Sequence, residues 1–348
     1  VAPDVAEPRR SFGAAPIRFA SQPHREGSQV KLEASPVLWV AVLAHNERAT
    51  IAAVVRALRQ QRLPAGRRVA VVVCANACTD GTELEVEREF SGDPSVALLV
   101  IPQRGKIAAI QKAVEFVSQQ AGITGAAAMG LADADIELPD TSVVQRLNER
   151  LDSAPDLWLA CACPLARVSA DSAGWLIRGI VRARAEANHI ARVNMVRGQL
   201  ILARLCHLLE NPIPADAVSD DMYLAHAFKG HFLMDHDAIV YTEGKSSLRA
   251  EIRRTTFLVA AREVMYRPGG TADFRPRGAP TAREEWSPRM FGALHLLKMM
   301  VRYRAWRTLF FLLCWAPFNS YCERAGRSIA RRAASDPRRL EALWTTRR

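Results

Sequence analysis

Apolar residues in this chain come in short unbroken runs, separated by stretches with helical spacing. Residues 37–43 read Val-Leu-Trp-Val-Ala-Val-Leu, with no polar position, as expected of a strand covered on both faces. The run stops at Ala44-His45-Asn46-Glu47. Ile51, Val54, Val55 and Leu58 then fall on one face of a helix, which Pro64 and Gly66 close. The unit repeats. Residues 69–74 predict a second buried strand, 75–82 a polar loop, and the stretch to Phe90 an acidic helix. Residues 96–101 predict a third strand, followed by Arg104-Gly105-Lys106 and a helix carrying Ala109, Ile110, Ala113, Val114 and Val117. Residues 126–132 predict a fourth, running out into Asp133-Ala134-Asp135, with Pro139 and a helix from Thr141 beyond. Strands alternating with helices imply right-handed crossovers and a parallel sheet. Such sheets bind ligands beyond the carboxyl ends of their strands, and the loops after all of these strands converge there.

The second half is less regular. Residues 157–161 predict a strand, 172–193 a long helix, and 196–202 an apolar stretch that leads toward the turn Asn211-Pro212-Ile213-Pro214. Ser219-Asp220-Asp221 precedes a helix carrying Met222, Leu224, Ala225 and Phe228. Ser219 suits its cap, and the two acids suit its positive end. Residues 231–235 and 238–242 predict a short antiparallel pair, and 246–267 a helix bearing Arg249, Arg253, Arg254 and Arg262. Residues 1–35 are rich in Pro, Ala, Ser, Arg and Gly without apolar periodicity, and read as an extended arm.

Composition changes this picture in two places. The seven cysteines are scattered and odd in number, which favours reduced thiols and a cytoplasmic protein; no secretory signal is read at Val1. Cys161-Ala162-Cys163 lacks partner cysteines and reads as strand packing. His226, His231 and His236 cluster in sequence; they read as satisfied core or surface groups more readily than as metal ligands. The net charge of +11 is uneven: residues 283–348 hold 14 Arg and Lys against 5 Asp and Glu. Within that region Lys298, Arg302, Arg304 and Arg307 alternate with Met299, Met300, Val301, Trp306 and the apolar run 309–317. The run is shorter than the ~20 residues that span a bilayer. Two readings stay open. One is a helix lying on an anionic membrane surface, which makes the protein peripheral on the inner face of the membrane. The other is a helix packing on the core. No nucleic-acid module is recognisable, so nucleic acid is not an expected partner.

The candidate chemistry lies in Asp133 and Asp135. Alternate residues of a strand point the same way, so both carboxylates face one small hard cation, Mg2+ or Mn2+, which shares its coordination with a substrate phosphate.

Five stretches in order, apolar strand–His-Asn-Glu, strand–Asn-Ala-Cys-Thr-Asp-Gly-Thr, Arg-Gly-Lys, Asp-Ala-Asp and Asp-Asp, resemble the family 2 glycosyltransferases over residues 37–257. The resemblance implies an α/β fold of the GT-A (Rossmann-like) type: a mostly parallel sheet flanked by helices, with a C-terminal helical extension. It divides the chain into an arm (1–36), a GT-A catalytic domain (37–267, the nucleotide half to about 140) and a basic helical extension (268–348). It implies that Leu43, Ala44 and Glu47 hold the base and ribose of a nucleotide sugar. Asn76 falls where many members set an acid against uracil. Ala75 precedes it, so the usual Asp pair is absent and a GDP-sugar stands beside a UDP-sugar as donor. Arg104 and Lys106 fall on the basic loop that contacts the nucleotide. Asp133 and Asp135 match the DXD motif of ribose and metal contact, Gly198 the small residue beneath the donor sugar, and Asp221 the catalytic base. The activity implied is transfer of a sugar to an acceptor hydroxyl with inversion, dependent on a divalent metal, the acceptor being a lipid or lipid-linked molecule if the tail binds membrane. Processive members carry Gln-x-x-Arg-Trp; here the stretch is Arg253-Arg254-Thr255-Thr256-Phe257, which implies transfer of one sugar. Two other readings are a non-catalytic nucleotide-binding protein with a degenerate fold of this type, and a sugar nucleotidyltransferase. The second requires a Gly-rich basic loop after the first strand, which 43–47 is not.

Overall fold

Strand β1 (Val37–Ala44) shows why the sheet is a two-sided core. Leu38, Val40, Val42 and Ala44 pack into one apolar cluster, and Ala41 and Leu43 into another on the opposite face. Period-2 alternation thus sends every side chain into protein, because helices cover both faces. The computed structural model describes residues 37–64, 66–121, 127–168, 174–190, 192–215, 217–244, 246–265, 301–302 and 305–333. The arm (1–36) and most of the basic extension (266–300 and 334–348) lie outside the described residues.

The chain continues through α1 (Ile51–Arg59), β2 (Arg68–Asn76), α2 (Thr82–Phe90), β3 (Val96–Ile101), α3 (Lys106–Ala121) and β4 (Ala128–Asp133). These four strands are parallel, in the order β3-β2-β1-β4. Helices α1 and α2 bury Ile51, Val55, Leu58, Val86 and Phe90 in the first cluster. Helix α3 returns across the other face with Ala109, Ile110, Ala113 and Val117. Two crossovers outward and one back leave four strand ends at one rim.

Beyond them come β5 (Ile136–Glu137), α4 (Val143–Ser153), β6 (Leu159–Arg167), α5 (Trp175–Ile190), β7 (Leu200–Arg204), α6 (Leu205–Glu210), α7 (Asp220–Ala227), β8 (Phe232–Glu243), α8 (Leu248–Met265) and α9 (Trp306–Ala333). The sheet has eight strands, ordered β3-β2-β1-β4-β7-β6-β8-β5. Strand β7 runs antiparallel to β4, so its beginning rather than its end lies at the rim. The sheet also curls. Asp133 and Ile136 are three residues apart, a reach of at most ~11 Å, while four flat strand spacings between β4 and β5 would need ~19 Å.

Three sequence expectations change. The two stretches expected to form a hairpin lie in one long strand, β8 (Phe232–Glu243), parallel to β6, with a register slip in place of a turn. The slip absorbs the extra residues as a bulge, which a hairpin reading mistakes for a reversal. Strand β4 ends at Asp133, and Ala134 and Asp135 form a turn, so the alternation argument for the two carboxylates stops one residue short. Ser219 holds the cap position of α7 but donates its hydroxyl to the Asp221 carboxylate instead of bonding the backbone.

Helix α9 packs one face on α5 and α8: Phe311, Trp315 and Cys322 join Ile180 and Ala183 in a separate cluster. A Cβ on Gly179 would overlap the Phe311 ring, so this glycine sets how closely α5 and α9 approach. Among the described residues, no helix is long and apolar enough to cross a membrane.

Candidate functional site

Lys106, the first residue of α3, reaches the rim between two carboxylates. Its ammonium lies 2.7 Å from Asp133 at the end of β4 and 3.0 Å from Asp220 at the start of α7. Two groups 114 positions and 27 positions away in the chain thus meet on one nitrogen. Burial opposes charge on Lys106, but Asp133 and Asp220 more than offset it and hold the ammonium protonated. Asp133 is pushed up to about 6, first by burial and then by the like charges of Asp220 and Asp135, against the pull of Lys106. Asp135 stands exposed on the turn beyond β4.

Gly198 lies directly against this pair. A Cβ there would come 3.1 Å from the Asp220 carboxylate, 3.2 Å from the Lys106 ammonium and 3.7 Å from the Asp221 Cβ. It arrives because Gln199 accepts a hydrogen bond from the Asp133 amide at 2.9 Å as β7 pairs with β4. Asp221 occupies the first turn of α7; its Oδ1 accepts the Met222 amide at 2.8 Å as well as the Ser219 hydroxyl. Both acids stabilise the positive helix end.

The nucleotide-side residues line the same rim. Leu43 pairs in register with Asp133, but its side chain and that of Ala44 are buried, so only main-chain atoms of these two can meet a ligand. The Ala44 carbonyl accepts the Cys78 thiol at 3.7 Å. Glu47 is half-buried; its amide donates to the Thr82 hydroxyl at 2.9 Å, and its carboxylate accepts from Thr50 at 3.2 Å. Asn76 is 4% exposed, and both ends of its amide hold the 103–106 loop: Nδ2 donates to the Gln103 carbonyl and Oδ1 accepts the Gly105 amide at 2.7 Å. Asn76 therefore positions the loop that delivers Lys106, while Arg104 is exposed on that loop. The loops after β1 and β2 are laced together, since Asn46 accepts the Thr79 amide at 2.7 Å and Asp80 accepts the Arg48 amide at 3.0 Å.

Two arginines of the site escape a linear reading. Burial works against charge on Arg197 and Arg254; Asp221 supports it in both, and Asp135 adds to it at Arg254. Arg249 and Arg253, on the same helix, are exposed. Helical periodicity alone offers a signal here: Arg254 sits one residue from Thr255, which faces the core. The histidines part company too. His231 stacks on Trp158 with centroids 3.9 Å apart and bonds the Asp156 carbonyl at 2.7 Å. His236 lies elsewhere, buried beside Cys163 and His189.

Residues 39–200 match the family model described as Glycosyl transferase family 2. Among solved structures, the fold is similar to that of a mannosyltransferase from Pyrobaculum calidifontis in complex with GDP-Man and Mn2+. The TM-score is 0.53 at 17% identity, covering 90% of this chain and 87% of the other. A glucosyl-3-phosphoglycerate synthase from Mycobacterium tuberculosis is more distant, at TM-score 0.42, 18% identity, and 65% and 78% coverage; it serves here as no more than a loose likeness. Among curated proteins, none matches this sequence significantly. The chain thus resembles glycosyl transferase family 2 over residues 39–200, and its fold is of the GT-A type.

Proposed function

We propose that this chain transfers one sugar from a nucleotide-sugar donor to an acceptor hydroxyl in a single displacement that inverts the anomeric carbon. The observation that carries the reading is Lys106 held between Asp133 and Asp220 against Gly198. A cation at the rim suits the diphosphate leaving group, whose negative charge grows as it departs. The absent side chain at Gly198 leaves room beside that cation for the sugar.

Asp133 and Asp135 fit a divalent cation, Mg2+ or Mn2+. They offer hard oxygens; Asp133 and Asp220 meet on Lys106, and Asp135 is near enough to Asp133 for its charge to be felt there. A bound ion would neutralise charge on the diphosphate. The chain's own residues do the rest. Asp221 accepts the proton of the acceptor hydroxyl as its oxygen bonds the anomeric carbon; the bond to the diphosphate breaks, and that oxygen keeps the electron pair. Lys106, with Arg254 and Arg197 at the margin, holds the charge so formed. A phosphate leaving group requires no protonation, so one carboxylate suffices. The GDP-Man of the mannosyltransferase supports a nucleotide-sugar donor, with GDP and UDP both open for this chain. The missing Gln-x-x-Arg-Trp supports transfer of a single sugar.

The test is turnover of a panel of GDP- and UDP-sugars with Mn2+ or Mg2+, read as released nucleotide and as thermal shift. A ligand that binds only the folded chain raises its apparent stability. One donor turned over in a metal-dependent way is the expected result. Stabilisation by a nucleotide with no turnover of any donor would favour a binding protein instead.

We also propose peripheral attachment to an anionic membrane, and with it a lipid or lipid-linked acceptor. Trp306, Phe310, Leu313 and Tyr321 are 50–64% exposed on the outer face of α9, and Arg302, Arg307 and Arg324 are exposed among them. Aromatic and aliphatic groups rimmed by arginine suit the headgroup boundary. Flotation with anionic vesicles is expected, and its loss in the Phe310→Ser/Leu313→Ser variant. Equal flotation of that variant would remove the idea.

A further inference from the structure

Cys163, His189 and His236 come from three elements that nothing in the sequence links. Cys163 lies on β6, His189 in the last turn of α5, and His236 in the bulge of β8. The pairing of β8 with β6 brings His236 to Cys163, at the point where the bulge begins. Ala162 pairs with Asp235, but Cys163 pairs with Ile239, so residues 236–238 have no counterpart on β6. Counted straight on from Asp235, His236 falls opposite Cys163, and its ring lies there in the interior, 6% exposed.

We propose that these three side chains form a second metal site, which takes a borderline-soft divalent ion such as Zn2+. Each offers one ligand atom, and the three atoms lie within 4.8 Å of one another. Cys163 Sγ is 3.8 Å from His189 Nδ1. Tetrahedral zinc with bonds of ~2.3 Å to sulfur and ~2.0 Å to nitrogen places such ligands ~3.6 Å apart. A contraction of at most about 1.5 Å at the longest edge completes the triangle.

The independent sign is His236. Neither of its ring nitrogens has a partner that meets hydrogen-bond geometry, and the Val193 backbone, with Asp235, favours its charged form from nearby. A buried imidazole with both nitrogens unsatisfied is costly and rare. A thiol–imidazole contact between Cys163 and His189 explains those two residues and leaves His236 unexplained; a shared ion explains all three. The surroundings suit the ligand states required. Burial pushes the Cys163 thiol up to about 11 and lowers both histidines, so the imidazoles are neutral and the thiol surrenders its proton only when an ion binds. The charges of Asp235, Asp237 and Glu186 act on the cluster against those of Arg192 and Arg197. Thiolate and imidazole select zinc-like ions, while the oxygens at 133 and 135 select Mg2+ or Mn2+. With three protein ligands, the fourth position falls to water. Bound metal would pin the end of α5, from which the chain runs to Arg197 and Gly198.

The experiment uses the full chain, stripped with a chelator and titrated with Co2+. One equivalent is expected to produce a thiolate-to-cobalt charge-transfer band, which Zn2+ displaces. The band should vanish in Cys163→Ser and His236→Gln and persist in the double variant Asp133→Asn/Asp135→Asn. Zn2+ should raise the Tm of the parent and leave that of Cys163→Ser unmoved. If Cys163→Ser fails to fold, His189→Gln and His236→Gln carry the same comparison. No thiolate band at stoichiometric Co2+, or a band that survives in the cysteine and histidine variants, overturns the proposal.

Discussion

The acidic rim and the thiol–imidazole pocket share a sheet and are built by opposite means. The rim gathers ionised groups where strands end. Asp133, Lys106 and Asp220 stay 14–30% exposed at the side chain, and each charge is answered by another. The pocket gathers groups that are neutral without a ligand, behind a bulge, with Cys163 1% and His236 6% exposed. Burying unpaired charge is far costlier than burying a neutral imidazole. A charge-rich site must therefore keep an open side, whereas a soft neutral ligand set can be enclosed. The rim is suited to substrates that come and go, the pocket to an ion that stays.

Substitutions can break this contrast in order of expected effect. Asp221→Asn removes the proposed base and is expected to cut turnover by ~10²–10⁴-fold, with donor binding and the cobalt band intact. Unchanged turnover would take Asp221 out of the mechanism. Lys106→Met should lower kcat by ~10²–10³-fold. It should also lower the Tm, because Asp133 and Asp220 then face each other without the cation between them; a variant as active as the parent would sever the rim from the chemistry. Gly198→Ala pushes a methyl group against the Asp220–Lys106 pair, so a drop of about tenfold in kcat/KM is expected with little change in Tm. The smallest effect on activity belongs to Gly179→Ala, which forces Phe311 and α9 away from α5 at a cost of ~1–3 kcal/mol in unfolding free energy. Helix α5 also carries His189, so cobalt affinity should fall while turnover per folded molecule changes less than twofold. Equal losses in both would merge the two regions into one unit.

The half of the chain from β1 to β4 was legible because one rule governs it. A strand covered on both faces is apolar throughout, and a helix on its surface repeats at i, i+3 and i+4. Ile51, Val54, Val55 and Leu58 are all buried as that spacing predicts, and β3 occupies residues 96–101 as expected. Beyond β4 the rule fails. Strand β8 carries Asp235 and His236 buried amid apolar neighbours, which interrupts the pattern and reads as a turn. Arg254 and Arg253 are adjacent and chemically equal on paper; the orientation of α8 alone turns one toward the acids. Asn76 looks like a ligand contact until the 103–106 loop is seen to occupy its amide.

By itself the sequence determined which stretches are covered on both sides, and therefore the alternation of strand and helix that delivers the ends of β1 to β4, Asp133 among them, to one rim. That information is local, carried by the spacing of apolar residues within each element. Tertiary structure decided which of several equivalent polar residues meet: Lys106 with Asp220, Arg254 in place of Arg253, and Cys163 with a histidine from each of two other elements. Those meetings depend on strand direction, sheet curl and the pairing of β8 with β6, which arise from packing between distant segments and leave no periodic mark in any one of them.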